Sequence, residues 1–136
     1  MSIRTVRDKL KERLDTIKGL NGHAYPPNRI TKLPVAIVDY DAATADYQQP
    51  GGTAIWRFRI LLLIANWEAS MAYETLDDYI EKSGSKSIKA ALEPSPNAVG
   101  DYCVVQNCEN AGPIRYKAGE QIFYGCEFVV EVGDTI

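Results

Sequence analysis

The stretch that most constrains this chain runs from Thr53 to Trp67, TAIWRFRILLLIANW, its longest apolar segment. Taken by twos, Trp56, Phe58, Ile60, Leu62 and Ile64 fall on one side, and Ile55, Arg57, Arg59, Leu61 and Leu63 on the other. Period two is the signature of a strand. The first side is apolar throughout. The second carries arginines early and leucines late, which predicts a strand that starts at a wet edge or interface and ends covered on both faces. A helix is the rival at this length. The β-branched and aromatic residues around Trp56 and the Gly51-Gly52 breaker ahead of it favour the strand. The two arginines interrupt a run that would need roughly 18 consecutive apolar residues to cross a membrane.

The rest of the chain supplies cover for that strand. Ser2 can cap a helix whose inward stripe is Ile3, Val6, Leu10, Leu14 and Ile17, and Gly19 ends it. The basic residues of this helix, Arg4, Arg7, Lys9, Lys11, Arg13 and Lys18, alternate with Asp8, Glu12 and Asp15. That pattern reads as a solvated face rather than a nucleic-acid patch. From Leu20 to Lys32, Asn21-Gly22 and Pro26-Pro27 predict an irregular crossing loop. The sole histidine there, His23, reads as a surface or loop-packing residue rather than a catalyst.

Pro34 opens a strand from Val35 to Tyr40. DAATADYQQPGGT follows, far longer than a hairpin loop of about 2 to 5 residues, so it predicts an arm that is either functional or mobile. Tyr47 in the arm suits contact, since its ring can pack while its hydroxyl stays wet. Beyond the central strand, Ser70 can cap a helix to about Lys82, with Met71, Ala72, Leu76, Tyr79 and Ile80 inward. Ser85 or Ser87 starts a short helix over Ile88, Ala91 and Leu92, ended by Pro94 and Pro96. Two strands close the order, Tyr102 to Gln106 and Gln121 to Val132, with Ile114 to Lys117 pairing back across Ala118-Gly119. On the last strand Ile122, Tyr124, Cys126, Phe128, Val130 and Val132 share the core face, opposite a half-wet one. The expected fold is one α+β domain over residues 1–136. It is a mainly antiparallel sheet with an N-terminal helix and two further helices packed on one face, and a long hairpin arm between the first two strands.

A chain of 136 residues, 46% hydrophobic, is long enough to bury a core without a metal or disulfide staple. Cys103, Cys108 and Cys126 show no CxxC or His/Cys spacing, so they read as reduced thiols, and Cys126 on an apolar face reads as inert core. The opening MSIRTVRDKL lacks the apolar segment of a signal peptide, which predicts a protein made and kept inside a cell. Net charge is -3 with the basic residues spread out, an argument against a dedicated nucleic-acid binder. Nucleotide-loop, nucleophile-elbow, zinc-protease and EF-hand motifs are all absent from the sequence. Asp39 and Asp41 could hold a divalent ion, although Asp is common where strands become turns. Asp77 and Asp78, adjacent on a helix, diverge. Arg57 and Arg59 on a strand face beside Tyr47 are instead the residue types enriched in protein interfaces, which predicts an assembly subunit with no catalytic residue and no cofactor.

The run TLDDYIEKSGSKSIKAALEPSP, continued by DYCVVQNCENAGPIRYKAGEQIFYGCEFVVEVGD, resembles the tail terminator (tail completion, minor tail) proteins of long-tailed bacteriophages. The matching signals are Leu76 to Tyr79, Ser83-Gly84, Lys86 to Ile88 and Ala91-Leu92. They continue with Tyr116, Gly119, Tyr124, Gly125, Glu127, Phe128 and Val130 to Val132. The N-terminal helix, the first strand and the arm fit as well, so the likeness spans most of the chain. The resemblance implies a ring of identical subunits, typically a hexamer, that caps the tail tube, stops its polymerisation and offers a joining surface to head–tail connector proteins. It implies a place in the virion at the head-proximal end of the tail, assembly in the host cytoplasm, and no membrane. DNA would pass through the lumen without specific binding. On this reading Asp41, Asp46, Tyr47, Gln48, Gln49, Arg57 and Arg59 meet the tube protein or a neighbouring subunit. The alternatives are a head–tail connector or neck subunit, and a small ligand-binding domain or enzyme whose site carries no motif.

Overall fold

Burial on both sides of one strand sets the architecture. The chain's structure, a computed structural model, describes residues 2–47, 53–66, 72–116 and 121–135. Gln48, Gln49, Pro50-Gly51-Gly52, Trp67, Ser70, Met71, Lys117 and the Ala118-Gly119 turn lie outside the described residues. The elements in order are α1 (Ile3–Asp15), β1 (Asn21–His23), β2 (Val35–Asp46), β3 (Thr53–Asn66), α2 (Ala72–Ile80), α3 (Ile88–Leu92), β4 (Tyr102–Arg115) and β5 (Ile122–Thr135). The strands lie in the order β1-β2-β3-β5-β4, antiparallel apart from β1, which runs parallel to β2. This is the expected α+β fold, with the helices on one face of a mainly antiparallel sheet.

On the helix side, Phe58, Ile60, Leu62 and Ile64 of β3 join Ala36 and Val38, Cys126, Phe128, Val130 and Val132, and Cys103 and Val105. Val6, Leu10 and Leu14 of α1, Leu76 and Tyr79 of α2, and Ile88 and Leu92 of α3 cover them. Each such large side chain contributes about 1.5–3 kcal/mol on leaving water. Ser2 caps α1 by accepting from Thr5 N, and Ser87 caps α3 by accepting from Ala90 N. On the opposite face Val35, Ile37, Leu63, Tyr116 and Phe123 form a second cluster, closed by Ile30 and Leu33 from the segment that crosses the sheet. Tyr116 Oη donates to the Pro27 carbonyl and pins that segment down. The leucine end of β3 is therefore covered twice, and its arginine end only once.

Three segments differ from the sequence expectation. The Leu20–Lys32 stretch is not wholly irregular: Asn21, Gly22 and His23 pair with Val35, Ala36 and Ile37 as β1. Gly22 serves a close approach rather than a turn, since a Cβ there would lie 2.8 Å from Asp15 Oδ1, the group that accepts the Gly22 N–H. Strand β2 does not stop at Tyr40 but resumes after a register shift, pairing Ala45 with Trp56 and Asp46 with Ile55. The base of the expected arm is thus sheet. Tyr102–Gln106 and Ile114 onward are one strand, β4, kept in phase with β5 by irregularities at Val105/Asn107 and Glu109/Gly112. These irregularities hid it, because each interrupts the alternation on which a strand is recognised. As β4 is the sheet edge, its Val105 N–H finds a side chain instead of a strand, Glu93 Oε2 at 2.8 Å, and that carboxylate also holds Lys89 Nζ at 2.6 Å.

Arg7 overturns the expectation of a wholly solvated basic face on α1. It is 1% exposed. Its Nη1 donates to the carbonyls of Ala24 (2.6 Å) and Val38 (2.8 Å), while its guanidinium lies 4.6 Å from the Tyr25 ring centroid, 4.3 Å from that of Tyr40 and 5.4 Å from that of Phe58. Ring faces carry the negative part of the aromatic quadrupole, so this cage offsets the desolvation of a cation. Arg7 ties together α1, the crossing segment and β2.

Two substitutions test this account. Arg7→Ala orphans two carbonyls and empties the cage, and a loss of about 3 kcal/mol is expected in a denaturant melt. Gly125→Ala places a Cβ 2.0 Å from the Leu62 carbonyl oxygen. Strands β3 and β5 must then separate, with a loss of about 2 kcal/mol or more by the same measurement.

Candidate functional site

The uncovered end of the second face is a strip of paired charges. Strand alternation puts Arg57 and Arg59 on it from β3, and the antiparallel register sets Arg57 opposite Glu131 and Arg59 opposite Val129, with Glu127 one pair further along. Arg59 Nη2 donates to Asp41 Oδ1 at 2.8 Å, and its Nη1 donates to Glu127 Oε2 at 3.1 Å and to Glu109. Arg57 lies 3.4 Å from Glu131 Oε1 and 3.9 Å from Asp46 Oδ2. Asn110 Nδ2 donates to Glu127 at 2.6 Å, and Tyr102 Oη donates to Glu131 at 3.0 Å. The strip therefore sets the carboxylates of Asp41, Asp46, Glu109, Glu127 and Glu131 around two guanidiniums.

The hydrogen bond to Glu109 is the largest cause of a raised Arg59 pKa; partial burial opposes it, and Asp41 and Glu127 add to it. A group with a raised folded pKa contributes its stability at every pH below its ordinary value, here throughout the biological range, and loses it only in strong alkali. Burial raises the Tyr102 hydroxyl, helped by its hydrogen bond to Glu131. Both groups stay protonated donors.

Of the residues expected to form an interface, Asp41, Asp46, Arg57 and Arg59 do come together, but as one another's partners. The arginines are not free contact groups: their side chains are about a quarter exposed and committed to carboxylates. The same pairing answers the metal reading of Asp39 and Asp41, because a guanidinium stands where a cation would compete, and Asp39 Oδ1 accepts from the Tyr40 N–H at 2.8 Å. Tyr47, 71% exposed, meets Trp56 edge-on at 5.9 Å. Trp56 Nε1 beneath it is buried without a hydrogen-bond partner among the described residues. Gln48 and Gln49 lie outside the described residues. His23 sits in β1. The sequence did not assign Glu109, Glu127 or Glu131 to this site, because only the pairing of β5 between β3 and β4 brings them to the arginines.

The exposed large hydrophobic side chains divide between the sheet's margins. Tyr40 and Tyr47 lie in or just beyond β2, Tyr25 lies beside it over Arg7, and Tyr102 and Val104 lie on β4 at the other margin. A cleft of about 320 Å³ beside the end of α2 is lined by Asp78, Glu81, Ser83, Gly84, Ser85 and Lys86, and it is shallow and polar. Among the described residues no helix is long and apolar enough to cross a membrane.

Replacing Arg59 with Ala leaves three carboxylates facing one another. The expected cost is about 1–2 kcal/mol near neutral pH, discounted for partial exposure, and it should shrink toward roughly pH 4 as the carboxylates take up protons. Denaturation midpoints of wild type and variant across that pH range check it.

Comparison with protein-family models and with curated proteins finds no match for this chain.

Proposed function

We propose that this chain is the ring-forming subunit that ends a bacteriophage tail tube, stopping tube growth and presenting the surface to which the head connector joins. The observation that carries the reading is the placement of exposed Tyr25, Tyr40 and Tyr47 at one margin of the sheet and Tyr102 and Val104 at the other. A ring needs a heterologous contact in which one patch of a subunit meets a different patch of the next. Two unlike margins, one with three exposed tyrosines and one with a tyrosine beside a valine, suit that need, and tyrosine is a favoured contact residue.

The charged strip between the margins supports a second contact, to the tube. Its guanidiniums and carboxylates are already oriented by one another, so a partner meets a fixed pattern of charge and pays little ordering cost. Asp46, the last residue of β2 and a partner of Arg57, brings the strip to the base of the arm. With net charge -3, the chain would hold DNA weakly as it passed through the lumen. On this proposal the protein performs no catalysis, needs no cofactor and works in the virion at the head-proximal end of the tail.

Electron microscopy of a lysate made without this protein tests the proposal: overlong tubes lacking heads are expected. Tubes of normal length without heads would assign the chain to the connector instead, and normal headed tails would overturn both assignments.

A further inference from the structure

Two of the three thiols meet across the β4–β5 ladder. Cys108 is paired with Phe128, and Cys126 lies two residues from Phe128 on the same, helix-covered face. The ladder passes from Glu109↔Glu127 directly to Gly112↔Gly125, with Asn110 at φ 57. No β4 residue is registered opposite Cys126, and its diagonal neighbour on that face is Cys108. The two thiols lie near enough for each to shift the other's proton affinity. Cys126 is fully buried, whereas Cys108 is partly exposed.

We propose that Cys108 and Cys126 are an oxidative modification site, in which Cys108 is the reactive thiol, Cys126 the resolving thiol, and a small disulfide the oxidant. The environments divide the roles. The neighbouring Cys126 thiol lowers the Cys108 thiol below its ordinary value, while Cys108 and burial push Cys126 up. The attacking species in exchange is the thiolate, which favours Cys108 as the first to react. Its sulfur attacks one sulfur of the small disulfide, forming a mixed disulfide and releasing one thiolate, which takes up a proton. Cys126 then gives up its proton and attacks the Cys108 sulfur, expelling the second small thiol. The protein loses two hydrogens and two electrons, and the small disulfide is reduced to two thiols.

Diagonal cross-strand residues sit about 7–8 Å apart, somewhat wider than the roughly 4.4–6.8 Å Cα spacing of a relaxed disulfide. The irregularity at Asn110 gives β4 room to close that gap, and the resulting strain makes the bond easy to reduce. Glu109 and Glu127, each one residue from a reacting cysteine, both hold Arg59 on the opposite face. Closing the disulfide therefore moves two of the carboxylates that grip that arginine. Cys103 serves as an internal control, since burial pushes its thiol up to about 12.

The test treats the folded protein with 2-hydroxyethyl disulfide and follows intact mass and peptide mapping. Wild type should pass through an adduct at Cys108 to a product lighter by two hydrogens, with Cys108 linked to Cys126 within one chain and Cys103 free. Cys126→Ser should stop at a stable adduct on Cys108, and Cys108→Ser should stay unmodified over the same time. A stable adduct on wild-type Cys108, a link between two chains, modification of Cys103 at the same rate, or no reaction would each overturn the proposal. The wild-type mapping decides the matter even if a serine variant folds poorly.

Discussion

The pairing of β3 with β5 is the constraint on which everything else rests. It runs from Thr53↔Thr135 to Asn66↔Phe123, nearly the full length of both strands. Because successive side chains alternate, that single register decides which residues enter the helix-covered core and which face the other way. A slip of one residue would turn Phe58, Ile60 and Leu62 outward and bury Arg57 and Arg59. Gly125 enforces the register sterically, because β3 passes so close at Leu62 that no side chain fits there. Tyr102 performs a related role at the other end, laying its ring over Gly133, its cross-strand partner.

Much of this was legible in the residues. The two sides of the central strand, the stripe of α1, the Ser2 cap, a serine cap for α3 at Ser85 or Ser87 (the structure uses Ser87) and the C-terminal pairing of Ile114 with Phe123 follow from periodicity and capping chemistry. Apolar spacing is a local signal, and these are local features. The parts that escaped depend on contacts between residues far apart in the chain. Arg7 looks like one more member of a solvated charged helix until Tyr25 and Tyr40 are brought to it from other elements. The carboxylate partners of Arg57 and Arg59 come from β2, β4 and β5, and no single-strand pattern announces strand order. The β4 irregularities concealed a fourteen-residue strand by breaking its alternation twice.

Arg7 and Arg59 show two ways of accommodating a cation. Arg7 sits under α1 with carbonyls and ring faces about it, and its role is to join three elements. Arg59 sits among carboxylates on the face without helices, where water still reaches the group. The first arrangement serves the fold. The second supplies a structured polar surface in which the charge of both arginines is balanced by carboxylates of the subunit itself.

The contact between Glu93 and the Val105 amide has a consequence for how the protein behaves in a crowded cell. An outermost strand presents unpaired amides on which a foreign strand can grow, the first step toward ordered aggregates. Here a stranger would have to evict a carboxylate that Lys89 also holds, and would meet Pro113 further along, a residue with no amide hydrogen to share. The margin thus discourages indiscriminate stacking while leaving Tyr102 and Val104 available to a partner that recognises side chains rather than backbone.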